Sequence, residues 1–222
     1  MDAEAAGATA ALAEVAVSVG GVVAAASAVA VAATLAAAVR LEIGDAMLSK
    51  FKTILKHLWL DASDAESAIP PDMLQRLTQR VAASEARHSG EIRIYVEAAL
   101  PMSYLWRLSQ HSPMKALIHQ RAVMLFGKLR VWDTGHNNGV LIYLQLAERR
   151  IEIVADRGLS AHVTDAEWQA MVARMRQNFQ QGQFEDGLTQ ALSEVSALLV
   201  TYFPEAGSKA QPNELPDAPT LG

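Results

Sequence analysis

A chain of 222 residues is long enough to bury one proper core and too short to expect two, so one domain with additions is the first expectation. A formal charge of -5 and a pI near 5.7, with Lys and Arg scattered rather than striped, exclude the basic field that holds a nucleic-acid backbone, and no nucleic-acid partner is expected. The absence of cysteine excludes disulfides, thiolate nucleophiles and zinc–sulfur clusters, leaving carboxylates, His, Ser, Thr, Tyr, Lys or an oxygen- and nitrogen-held metal to carry any chemistry.

Residues 1–46 read differently from the rest. From Val15 to Val39 the chain is almost wholly Ala and Val, about 20 apolar residues being enough to cross a bilayer as a helix. Three readings compete. A secretory signal would want Lys or Arg ahead of the apolar run, where Asp2 and Glu4 stand instead. A membrane anchor over residues 15–39 has the length, but Ala contributes little to insertion and Gly20-Gly21 weakens the helix. The favoured reading starts the natural chain at Met47, with MLSKFKTILKHLW, and treats the monotonous stretch before it as an over-extended gene start. Arg40, Lys50, Lys52 and Lys56 follow the apolar run, so an anchored domain would face the cytoplasm, and a free one is expected there too. Residues 47–68 then form a leader to the domain.

The folded part opens at Ile69-Pro70-Pro71-Asp72, where the prolines suit a helix start. Leu74, Leu77 and Val81 recur at helical spacing, and Ser89-Gly90 suits the stop, giving a helix of about 72–88. EIRIYVE alternates apolar Ile92, Ile94 and Val96 with polar neighbours, the signature of a half-buried strand. Ser112-Pro113 suits the start of a second helix reaching about Leu129. GVLIYLQLA is apolar on both faces at 140–144 and belongs in the middle of a sheet covered on both sides. IEIVA follows across AERR as an antiparallel hairpin. Thr164-Asp165-Ala166-Glu167 is a capping box for a helix whose stripe is Trp168, Met171, Val172, Met175 and Phe179, ended by Gly182. A last stripe, Leu188 to Tyr202, stops at Pro204, and 204–222 reads as a disordered tail. The fold expected is α/β, a single domain over 69–203 with a small mixed β-sheet sandwiched between α-helices, in the order α-β-α-β-β-α-α.

The chain has no phosphate loop ending in Lys-Ser or Lys-Thr, no GxGxxG, no HExxH and no GxSxG, so the usual nucleophile-based hydrolases lack support. Carboxylates and amides at strand ends remain. The loop from Asp133 through His136, Asn137 and Asn138 enters the central strand, and Asp156-Arg157-Gly158 leaves its antiparallel partner, so a hairpin brings both to one end of the sheet. Glu91 joins them if the first strand runs parallel to the central one, as a strand–helix–strand crossover implies. Glu91, Asp133, Asn137, Asn138 and Asp156 are hard oxygen donors suited to Ca²⁺ or Mg²⁺, with Arg157 and Gly158 as substrate or partner contacts. The competing reading is turn chemistry, since Asp, Asn and Gly are what turns are made of, and no cofactor follows from it. His136 reads as a solvated loop residue, Trp132 and Trp168 as core, and Arg149-Arg150 as a solvated hairpin tip.

The run LFGKLRVWDTGHNNGVLIYLQLAERRIEIVADRGL, then a capped helix and NFQQGQFEDGLTQAL, resembles the TPM domain family over about Ile69 to Phe203. The resemblance rests on the NNGVLI strand, the Gly158 turn and the segment Phe179 to Gly187, none of them a catalytic motif. It implies a mixed sheet between helices. It also implies relatives among thylakoid phosphatase-like proteins, photosystem II repair factors and bacterial envelope proteins, some proposed to be metal-binding phosphatases and others accessory proteins. LemA-like or larger TPM membrane proteins are the partners it suggests. The expectation is therefore an accessory module that binds a membrane-linked protein. The alternative is a metal-dependent phosphatase with Asp133 and Asp156 as catalytic groups.

Overall fold

The computed structural model describes residues 47–109, 112–205 and 213–222. The chain divides between Lys52 and Thr53. Of the first unit only residues 47–52 are described, and they are helical. The signal, anchor and over-extended-start readings of residues 1–46 lie outside the described residues. Among the described residues no helix is long and apolar enough to cross a membrane.

In the second unit residues 53–59 are helical. There follow α1 (Ala62–Ala68), α2 (Pro71–Glu85), β1 (Ile92–Glu97), the short α3 (Met102–Leu105), α4 (Met114–Lys128), β2 (Val140–Gln145), β3 (Arg150–Ala155), the short α5 (Arg157–Ser160), α6 (Asp165–Gln180), α7 (Phe184–Tyr202) and β4 (Thr220–Leu221). The sheet order is β3-β2-β1-β4. β1 and β2 are parallel, β2 and β3 antiparallel, and β4 runs parallel to the outer side of β1. This is the expected mixed sheet between helices.

β2 is buried at every position because both of its faces are covered. Val140, Ile142 and Leu144 point into one core with Ile92, Ile94 and Val96, under α1, α2, α6 and α7. Leu141 and Tyr143 point into the other, under α3 and α4. Burying a side chain of this size contributes roughly 1.5–3 kcal/mol, so two apolar layers fix the register of β2 from both sides. The capping box forms as expected: the Thr164 hydroxyl accepts from Glu167 N, and the Glu167 carboxylate accepts from Thr164 N. Gly182, at φ 76, ends α6.

Three expectations differ from the structure. The leader over 47–68 contains α1, started by an Asp61–Asp64 capping box and anchored by fully buried Ala65. Trp132 is half exposed rather than core, because it falls in the turn after α4 while the neighbouring Val131 takes the buried place. Residues 213–222, expected within a disordered tail, return to the sheet. Gly222 N donates to Val96 O and Ala98 N to Gly222 O, at 2.9 and 3.0 Å. The Arg93 guanidinium holds the carbonyls of Pro216 and Ala218 and the Thr220 hydroxyl. Main-chain pairing and one arginine fork secure a segment too polar to announce itself as a strand.

Candidate functional site

The hairpin and the crossover bring the two polar loops together. Val140 N donates to Glu91 O at 2.8 Å, and Asp156 N donates to Gly139 O at 2.9 Å. Glu91, the 133–139 loop and Asp156 to Gly158 thus share one end of the sheet. It is the amino end of the parallel pair β1 and β2, whereas ligands in open α/β sheets gather outside the carboxyl ends.

The loops interlock. Asn137 adopts a left-handed conformation, φ 53, and its side-chain oxygen accepts from Arg157 Nε and Nη2 at 3.1 and 2.6 Å. Gly158 N donates to Asn137 O at 2.8 Å. A Cβ at Gly158 would stand 2.4 Å from that same oxygen and 2.9 Å from His136 O, so only glycine lets the loops approach. Gly139 is tighter still, with a Cβ falling 1.9 Å from Val131 O.

Of the remaining candidates, Asn138, Asp156 and Glu91 have hydrogen-bond partners, and Asp133 and His136 face solvent. Asn138 is fully buried; its N–H donates to Thr134 Oγ1, its Oδ1 accepts from that hydroxyl, and its Nδ2 donates to Ser89 Oγ. Asp156 caps α5, accepting from Arg157 N at 2.7 Å through Oδ1, while its Oδ2 is out of solvent contact with no hydrogen-bond partner. Asp133 is exposed, 4.0 Å from the Arg130 guanidinium. His136 is exposed. Glu91 is buried and accepts from Glu214 N and Leu215 N at 3.1 and 3.2 Å; burial pushes its carboxyl above the usual range. Asp133 therefore faces solvent while Asp156 and Glu91 turn to backbone amides. Among the described residues no three His, Asp or Glu side chains are arranged to hold a metal ion.

Residues not expected from sequence complete this end. Glu85 accepts from Ile92 N at 2.8 Å, and burial, with Glu91 and Asp217 nearby, pushes its carboxyl up to about 8. The Glu214 carboxylate accepts from Gly135 N at 3.0 Å. Glu85 belongs to α2 and Glu214 to a segment read as tail, so no local pattern placed either beside the loops.

The carboxyl end of β1 and β2 holds a second polar constellation. Glu97 is buried and receives Arg121 Nε at 3.0 Å, the Arg121 Nη2, and the Tyr143 hydroxyl at 2.6 Å. Burial and the Glu97 charge raise the Tyr143 hydroxyl far above the usual phenol range, so it stays a donor. Arg121, on the sequence stripe of a helix, gave no sign that it would reach an acid buried in β1.

The TPM domain matches residues 62–198. The chain is similar to the BA42 protein of the psychrophilic bacterium Bizionia argentinensis, at 25% identity over 69% of this chain and 95% of that one, with a TM-score of 0.57. It also matches the N-terminal domain of a P. gingivalis protein at 16% identity, over 62% of this chain and 82% of that one, with a TM-score of 0.48. No curated protein matches. The matched segment runs from the start of α1 into α7 and takes in β1, β2, β3 and both interlocked loops, and by that match the chain belongs to the TPM domain family.

Proposed function

We propose that this TPM domain works as a binding module for a membrane-linked protein, without turnover of its own. The observation that carries this reading is the commitment of the polar loop groups to one another. Asn137 is held by Arg157, Asn138 by Thr134 and Ser89, Glu91 by two backbone amides, and Asp156 by the α5 N-terminus. A catalytic carboxylate needs a free lone pair aimed at a reacting atom. Asp133 faces solvent and Asp156 keeps one unpartnered oxygen, but the groups around them are engaged, and among the described residues no cluster of three His, Asp or Glu is arranged to hold a metal ion there. The family resemblance suggests LemA-like or larger TPM membrane proteins as partners.

One observation favours the second reading, a phosphatase assisted by Ca²⁺ or Mg²⁺. Asp156 Oδ2 is shielded from solvent without a partner, an arrangement that asks for a proton donor, water or cation. A bound cation would supply charge neutralisation and an activated water, with Asp156 and Asp133 the residues to hold it. Against this, Ca²⁺ takes about 6–8 oxygen ligands, and one orphan oxygen is a poor start.

The two readings separate in one experiment. Ca²⁺, Mg²⁺ and Mn²⁺ are titrated by thermal melting, and hydrolysis of a generic phosphate ester is assayed with wild type, Asp133→Asn and Asp156→Asn. The module reading expects no metal-dependent turnover. Turnover abolished by either substitution would replace it with the phosphatase.

A further inference from the structure

β3 lies at the end of the sheet order, so one of its sides has no strand neighbour among the described residues. Which main-chain groups lie on that side follows from the ladder. In an antiparallel pair the residues alternate between bonding the partner and pointing away from it. Asp156 N bonds Gly139 O, so Val154, Glu152 and Arg150 also bond toward β2, and the N–H and C=O of Ile151 and Ile153 point outward.

That outward edge opens into a groove of about 540 Å³ between α4 and α6. Lys115 and His119 line it from α4, Arg150 from β3, and Trp168, Val172 and Arg176 from α6. Cations scattered in sequence are thus gathered by three elements on an otherwise acidic protein. Two carboxylates share the groove. Glu152 lies 3.3 Å from His119 Nδ1 and 3.7 Å from Arg150 Nε, whereas Asp165 sits in the first turn of α6. Among the described residues neither Lys115 nor Arg176 has an acidic partner. The groove therefore combines a free strand edge, an apolar floor and an excess of positive charge.

We infer that β3 accepts an extended acidic segment of a partner protein as an added strand in the groove between α4 and α6. Main-chain pairing with Ile151 and Ile153 would supply the register. Alternate side chains of the segment would rest on Trp168 and Val172, and its acids would meet Lys115 and Arg176. A free anion would use the cations alone and leave the strand edge idle. This rests on the binding-module reading and names the class of partner.

The test uses the full chain and a capped heptapeptide of alternating Glu and Val. Binding is followed by amide resonances and hydrogen exchange, with the same peptide N-methylated at every second amide in each of the two phases. Expected are slowed exchange at Ile151 and Ile153, loss of binding in one N-methylated phase, and about tenfold weaker binding in Lys115→Glu/Arg176→Glu, whose side chains are exposed. Equal binding by both N-methylated peptides would reduce the groove to an electrostatic patch and overturn the inference. No binding at millimolar peptide would overturn it as well. Sedimentation showing a dimer whose Ile151 and Ile153 amides are already protected would give the edge to a second copy and overturn it. A failed peptide without metal-dependent turnover removes this site alone, whereas turnover removes the module reading whatever the peptide does.

Discussion

Replacing Arg121 with Met should destabilise the protein far more than removal of a surface charge. The pair is buried, with Arg121 13% and Glu97 6% exposed at the side chain, and the Tyr143 hydroxyl donates to the same carboxylate. Met fills much of the space of the arginine stem but leaves Glu97 with one donor in place of a bidentate cation. Breaking a buried pair by removing one member costs about 3–5 kcal/mol, against about 0–1 kcal/mol for an exposed pair. At about 2–4 °C per kcal/mol for a domain of this size, the melting temperature should fall by about 6–20 °C. Urea unfolding followed by circular dichroism gives the value directly, with an unchanged m-value showing that the unfolded state is the same. The triple variant Glu97→Leu/Arg121→Met/Tyr143→Phe removes every polar member and should recover most of the loss. A loss below about 1 kcal/mol in Arg121→Met, or a triple variant weaker than the single one, would refute the assignment of this cluster as a desolvated unit.

Val140→Asp buries an unpaired carboxylate between two helical layers and should cost several kcal/mol, so a soluble variant melting like wild type would contradict the placement of β2. Gly158→Ala should lose about 1–3 kcal/mol, because the atoms a Cβ would meet are backbone oxygens that cannot swing aside; unchanged urea midpoints would show that the loops are looser than described. Glu85 is held protonated in the fold up to about 8 against an ordinary value of 4.5. Its contribution is therefore fully present below about 4.5 and is lost as pH rises through about 8, with a slope of at most about 1.4 kcal/mol per pH unit. Glu85→Gln has no proton to release and should flatten the stability–pH curve across that window; parallel curves for the two proteins would exclude Glu85 as the source.

The strands were legible because their patterns are extreme: strict alternation in β1 and double-sided burial in β2. The hairpin lacked its usual Gly or Asn because Arg149 itself takes the left-handed conformation, at φ 47, and its guanidinium reaches Gln180 O at 2.7 Å. β4 could not be read, since two residues display no period. The meeting of the two loops followed from strand direction alone. What their side chains do did not, because Glu91 bonds amides more than 120 residues downstream and Asn138 reaches Ser89 across the sheet end. The cationic groove was equally hidden: Lys115, Arg150 and Arg176 share no periodicity and meet only once α4, β3 and α6 are folded.

The return of residues 213–222 also limits how the protein can self-associate. A sheet with two bare edges can propagate, each molecule templating the next into a filament. Here the outer side of β1 is covered by β4 at Tyr95 and Val96 and by the Arg93 fork before it, so the edge opposite six-residue β3 is a strand of two residues. An edge of two residues offers a second molecule little main chain to pair with, so the C-terminal strand blunts edge-to-edge growth on that side.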